Sequence, residues 1–272
     1  MKTFFSGFSK GFFDYGPAIT FIFKHKLAWF YLVPILLNIL LFAGMWTAIG
    51  TFSDDLQILI TDAIRLNNAD FWGAEVLQWI INVSVTLILH IIFFFIFAYT
   101  GGYIVVILLS PILAYISEKT EKIITGKDFP FSIHQLMRDI VRGTLIAIRN
   151  LVLELLIMLA FFIFSFVPFV GWIVGLFSPI ALFIVASYFY GFSFVDYVSE
   201  RRKFSLKESV DFINKNRGIV TGNGMPFALI LLIPYIGLLF SGFLAITASV
   251  AAVISITDSD KTNELKPRKH NA

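Results

Sequence analysis

The sequence predicts an all-α polytopic membrane protein. Two long transmembrane helices, two membrane-inserted helical hairpins, re-entrant or spanning, and several interfacial amphipathic helices are expected. Three observations carry this. Hydrophobic residues make up 58% of the 272 positions and charged residues 14%, against roughly 45 to 50% and about 25% in an average soluble domain. Four blocks without Asp, Glu, Lys or Arg, residues 27–53, 76–117, 155–195 and 218–257, take up more than half of the chain, and each exceeds the about 20 helical residues that cross a bilayer. The charges between the blocks are also sorted. Residues 54–75 hold Arg65 among Asp54, Asp55, Asp62, Asp70 and Glu75, while the other four polar segments hold the remaining 20 of the 21 Lys and Arg. The positive-inside rule therefore puts 54–75 outside and the other four segments in the cytoplasm.

Parity then shapes each element. Near the amino terminus Phe4, Phe5, Phe8, Phe12 and Tyr15 fall on one helical face, and this helix is expected to lie at the cytoplasmic headgroups. Blocks 27–53 and 76–117 each cross once. The second is about twice the needed length, so it must protrude or bend, with Gly101-Gly102 and Ser110-Pro111 as the places to bend and Gly126 as the stop. Blocks 155–195 and 218–257 begin and end on the same side. Pro168, Gly171, Gly175 and Pro179 in one, and Pro226, Pro234, Gly237 and Gly242 in the other, mark them as hairpins that either span or dip and return. Ser132 with Gln135 and Ser205 with Glu208 cap two further amphipathic helices. Residues 1–257 form a single integral membrane domain and 258–272 a charged cytoplasmic tail.

Several function classes find no residues to carry them. There is no cysteine, so disulfide scaffolds and thiolate sites are out. His25, His90, His134 and His270 are isolated, and neither a phosphate loop nor a G-x-S-x-G elbow occurs. Gly222-Asn223-Gly224 reads as a turn. No catalytic residue, metal ligand or cofactor is expected, and the dispersed net charge of +3 does not suit nucleic acid.

At several points the sequence resembles a known family. Leu32-Val33-Pro34-Ile35-Leu36-Leu37-Asn38, Ser110-Pro111-Ile112-Leu113-Ala114 with Glu118 and Thr125-Gly126, Val167-Pro168-Phe169-Val170-Gly171, Asp196-Tyr197 and Asn216-Arg217 are similar, in order and spacing, to the CysZ-type sulfate permeases, relatives of the etoposide-induced membrane proteins. The resemblance implies a bacterial inner-membrane protein, dimeric or larger, that passes sulfate, a small inorganic anion, without enzymatic activity. The family's Gly-Leu-Arg-Arg stretch aligns here with Lys26-Leu27-Ala28-Trp29. Both arginines are absent, and Lys24 and Lys26 are left to supply positive charge.

Other candidates follow from chemistry. A dehydrated oxyanion can be held by backbone N–H groups at half-helix ends, so Phe169, Val170 and Gly171 after Pro168, and Gly237 after Pro234, are candidate anion-binding positions; the competing reading is that they only turn the chain. Arg138, Arg142, Arg149 and Arg217 are candidates for an anion vestibule or for contact with anionic lipid heads, and Arg149 for an ion pair with Glu154. Asn38 and His90 are intramembrane polar residues, possible partners of each other. The alternative to transport is a membrane organiser of the same fold that moves no substrate.

Overall fold

The computed structural model describes residues 2–63, 73–126, 133–233 and 236–264, and these contain helices and no strand. The acidic loop with Arg65 and Asp70, the Ser132 cap, Pro234 and the last eight residues lie outside the described residues. In chain order the helices are α1 (Lys2–Phe13), α2 (Tyr15–Lys24), a 3₁₀ turn (Ala28–Tyr31), α3 (Leu32–Ala63), α4 (Ala74–Thr125), α5 (Ile133–Ser165), α6 (Val170–Arg201), α7 (Leu206–Lys215), α8 (Arg217–Leu231) and α9 (Ile236–Glu264). Six segments are long and apolar enough to cross a membrane, two of them on α4.

The second block is not broken at either of its expected places. Helix α4 runs unbroken for 52 residues, through Gly101-Gly102 and Pro111, to a left-handed Gly126. At 1.5 Å per residue it is about 78 Å long, far more than one crossing needs. Gly102 serves packing: a Cβ there would lie 2.5 Å from the Tyr190 Oη and from a Leu231 methyl. Both hairpins break near the expected residues. The first turns at residues 166–169, with Phe169 at φ +65°, and the second between Leu231 and Ile236. Their arms differ. Helices α5 and α6 have 33 and 32 residues, whereas α8 has 15 and measures about 22 Å, short of the roughly 30 Å hydrocarbon core.

Helix α8 is held backbone to backbone on two sides. Cβ atoms on Gly218 and Gly222 would lie 2.4 Å and 2.1 Å from the carbonyl oxygens of Phe4 and Phe8 on α1, and one on Gly11 2.2 Å from that of Ile219. On the other side, Cβ atoms on Gly191 and Gly224 would lie 1.8 Å and 1.9 Å from the carbonyls of Val220 and Ser187. Gly7-x-x-x-Gly11 against Gly218-x-x-x-Gly222 is the small-residue spacing by which membrane helices approach closely. Helix α1 thus docks its glycine face on α8. One expectation is corrected: Gly222-Asn223-Gly224 lies inside a helix where a turn was expected. Asn223 then bridges, its Nδ2 donating to the Ala248 carbonyl on α9 and its own carbonyl accepting from the Tyr15 hydroxyl on α2.

The four polar segments assigned to one side are tied together by ion pairs. Lys10 meets Asp14 and Asp258, Arg142 meets Asp196, Arg201 meets Glu121, and Arg202 meets Asp260. Helix α7 closes this end with the expected capping box. The Ser205 side chain accepts from Glu208 N–H, and the Glu208 carboxylate accepts from Ser205 N–H at 2.7 Å. That backbone bond holds the Glu208 carboxyl below the usual carboxylate range, so the cap is complete at neutral pH and is lost as pH falls through the Glu208 titration.

A Gly222→Val substitution drives a side chain into the Phe8 backbone and is expected to cost about 3 kcal/mol or more. Gly175→Ala, where nothing lies within 4 Å of the added carbon, is expected to stabilise α6 by about 0.5 to 1 kcal/mol. Thermal unfolding in detergent distinguishes them.

Candidate functional site

The basic junction before α3 is built by a helix stop. Helix α2 ends on Lys24, His25 caps it, Lys26 adopts φ +56°, and Leu27 N–H returns to the Ile22 carbonyl at 2.8 Å while Lys26 N–H reaches that of Phe23 at 3.2 Å. These are the two bonds of a Schellman motif, and Leu27 and Ile22, the positions whose hydrophobic contact often accompanies it, are both buried. A lysine occupies the left-handed position that glycine prefers. The motif projects Lys24 and Lys26 to the surface while Leu27 and Phe30 anchor the turn in the core.

A third cation reaches the same corner from α4. Phe30 contacts the Tyr115 ring at 5.6 Å, and Lys119 Nζ stands 5.9 Å from the centroid of that ring. Trp29 stacks on Phe30 at 3.9 Å and is about half exposed. The turn that bears Lys24 and Lys26 is thus linked to Lys119 through Phe30 and Tyr115. Lys119 escaped notice in the sequence because it lies far away in the chain; only its place one turn after Tyr115 could have pointed to it.

The hairpin ends are arranged otherwise. Val170 N–H is bonded to the Pro168 carbonyl at 2.8 Å, Gly171 N–H to that of Val167 at 2.7 Å, and Gly237 N–H to that of Ile233 at 2.8 Å. These three amides are engaged by their own turns. Phe169 is 89% exposed and Trp172 87% exposed, so the first tip presents aromatic surface. Phe169 is the left-handed residue of that turn.

The arginines separate. Arg142 points inward, donating from Nε and Nη2 to the Asp196 carboxylate at 3.2 Å each, from Nη1 to the Phe204 carbonyl at 2.6 Å and from Nη2 to Ser209 Oγ at 2.5 Å. It is a clamp joining α5, α6 and α7, and this corrects its reading as a vestibule or lipid contact. Arg138 and Arg217 are exposed. Arg149 lies over the Phe192 ring at 5.3 Å and donates to the Asn150 side chain at 3.1 Å. The expected Arg149–Glu154 pair is not formed, because Glu154 accepts from the Tyr103 hydroxyl at 2.6 Å. Asn150 itself donates to the Phe189 carbonyl and to Ser193 Oγ, at 3.2 Å each. A polar core thus runs through the meeting of α4, α5 and α6.

Asn38 and His90 do not meet. Asn38 is buried and donates to the Leu239 carbonyl at 2.6 Å, fastening α3 to α9, whereas His90 Nδ1 lies 2.8 Å from the Thr86 carbonyl of its own helix. Beside His90, Ser53 and Gln57 of α3 bond to Thr86 of α4. A shallow groove of about 390 Å³ is lined by Asn82, Val83, Thr86, Leu87 and His90. Among the described residues no group of His, Asp and Glu is placed to hold a metal ion.

The family model described as Sulfate transporter CysZ/Etoposide-induced protein 2.4 matches residues 15–241. The chain belongs to this family. Similar proteins include the Sulfate transporter CysZ of Pseudomonas aeruginosa, strains LESB58 and PAO1, and that of Pseudomonas paraeruginosa strain PA7. Each is 27% identical over 226 residues, covering 82% of this chain and 86% of the relative. It is therefore a multi-pass membrane protein of a sulfate-transporter family. The CysZ match holds the basic corner, both hairpin turns and the polar core, while α1 lies before it and is joined through the glycine contacts with α8.

Removing the clamp with Arg142→Leu leaves the Asp196 carboxylate buried without its cation and is expected to cost about 3 to 5 kcal/mol, seen as a lower unfolding temperature. Lys203 ends α6 at φ +57° with the same pair of return bonds as Lys26. Lys203→Gly and Lys26→Gly should each stabilise the protein by about 1 kcal/mol, seen as a higher unfolding temperature.

Proposed function

We propose that the protein is a permease or channel for a small oxyanion, sulfate first, in the bacterial inner membrane, working as a homo-oligomer. The observation that carries this reading is the basic corner of Lys24, Lys26 and Lys119 at the entrance to α3, in a chain that belongs to the sulfate-transporter family. In the family's pattern two arginines stand at this entrance. Here three ammonium groups supply the positive field from two helices, and point charges without a guanidinium fork attract an anion without fixing its orientation. The corner collects the anion electrostatically.

Vesicles reconstituted with the purified protein are expected to take up labelled sulfate above empty vesicles. The double variant Lys24→Gln with Lys26→Gln should reduce that uptake roughly ten-fold, the loss of about 1.4 kcal/mol of charge-assisted contact. Uptake equal to empty vesicles, with correctly inserted protein, overturns the permease reading. A change in lipid order without flux would turn the reading to the membrane organiser.

A further inference from the structure

Among the described residues three carboxylates are buried: Glu121, Glu154 and Asp196. Glu121 is matched by Arg201 and Asp196 by Arg142. Glu154, 4% exposed, meets no cation; its partner is the Tyr103 hydroxyl, donated to Oε2 at 2.6 Å. Its depth sets it apart as well. Twelve residues of α5 separate it from Arg142, a distance of about 18 Å along the helix, and Tyr103 stands fifteen residues, about 22 Å, before Glu118 on α4. Both measures put the pair away from the ion-paired end, within two segments long and apolar enough to cross a membrane.

The groups facing Glu154 come from several helices. Helix α4 supplies Tyr103. Helix α6 supplies Tyr190, whose ring centroid is 4.7 Å from that of Tyr103. Helix α8 closes the site with Phe227, 4.9 Å from the Tyr190 ring, and Leu231, neither of them titratable. On α5 itself Arg149 is committed to Asn150 and Phe192. A single hydroxyl donor and apolar walls do not replace the hydration of a carboxylate. They suit a neutral carboxyl, whose carbonyl oxygen accepts from Tyr103 while the other oxygen holds the proton.

We propose that Glu154 is a proton-binding site that latches the α5–α6 hairpin to α4: with its proton the carboxyl stays seated against Tyr103, and without it the hairpin lifts until water reaches the charge. The proton is exchanged with water, and no other reactant takes part. The latch does not rest on the permease reading, since it concerns hairpin docking whether or not an anion passes.

Two measurements on the purified full-length protein in lipid nanodiscs test it. Infrared difference spectra between neutral and alkaline pH should show a protonated-carboxyl carbonyl band that disappears on alkalinisation and is missing in Glu154→Gln. In Tyr103→Phe the same band should move to higher frequency, because its carbonyl no longer accepts a hydrogen bond; this variant serves if Glu154→Gln does not fold. The chain has no cysteine, so spin labels can be attached at Leu108→Cys on α4 and Leu156→Cys on α5, both exposed. The interlabel distance distribution should be narrow at neutral pH and lengthen at alkaline pH, and should stay narrow at both in Glu154→Gln. A neutral-pH spectrum with no band that these variants remove or move overturns the proton site. A distance distribution that ignores pH with Glu154 intact overturns the latch.

Discussion

Hydrocarbon supplies neither a hydrogen bond nor a counter-charge, and the described polar interior is organised around that constraint. Asn38 finds the Leu239 carbonyl, Asn150 that of Phe189 and Asn223 that of Ala248, each fastening a different pair of helices. Apolar contact between membrane helices gains little over apolar contact with lipid, so these bonds and the close backbone approaches decide which helix lies against which. The glycines of α8 are the extreme case. A side chain at Gly191, Gly222 or Gly224 would collide with a carbonyl of a neighbouring helix, so α8 is fitted between α1 and α6 by the absence of side chains.

The two hairpins behave differently under this constraint. The second has a short first arm gripped on both flanks, with apolar residues exposed near its turn, Leu229, Leu232 and Ile233. The first has arms twice as long. Its outer half, residues 162–180, is mostly exposed and heavily aromatic, while the inner half of α6, from Phe189 to Ser199, is buried. A rigid inner bundle therefore carries a long projecting hairpin, and Glu154 lies where that hairpin joins α4. The Arg142 clamp and the α7 cap hold its base, so the freedom left to it lies beyond the clamp.

Charge is handled by place. At the ion-paired end, arginine and carboxylate are matched and partly desolvated, which gives a fixed geometry more than net stability. At the entrance to α3 the cations are exposed on a helix-stopping turn, where the left-handed Lys26 is tolerated although glycine would relieve strain. The first arrangement holds helices in place, and the second leaves its charge at the surface.

The uncharged blocks, their lengths and the Lys and Arg asymmetry were enough to derive a helical membrane protein with two long helices and two hairpins, since hydropathy and charge act locally and add along the chain. The cap at Ser205–Glu208, the stop at Gly126 and the break after Pro168 were legible for the same reason: each is set by a few adjacent residues. Partner choice was not legible. Whether Arg142 faces lipid or Asp196, whether Glu154 meets Arg149 or Tyr103, and whether Gly222 turns the chain or admits α1 depend on residues tens to hundreds of positions away, brought together only when helices pack. One face of a helix looks like another until a neighbour covers it, and that covering was settled by tertiary structure alone.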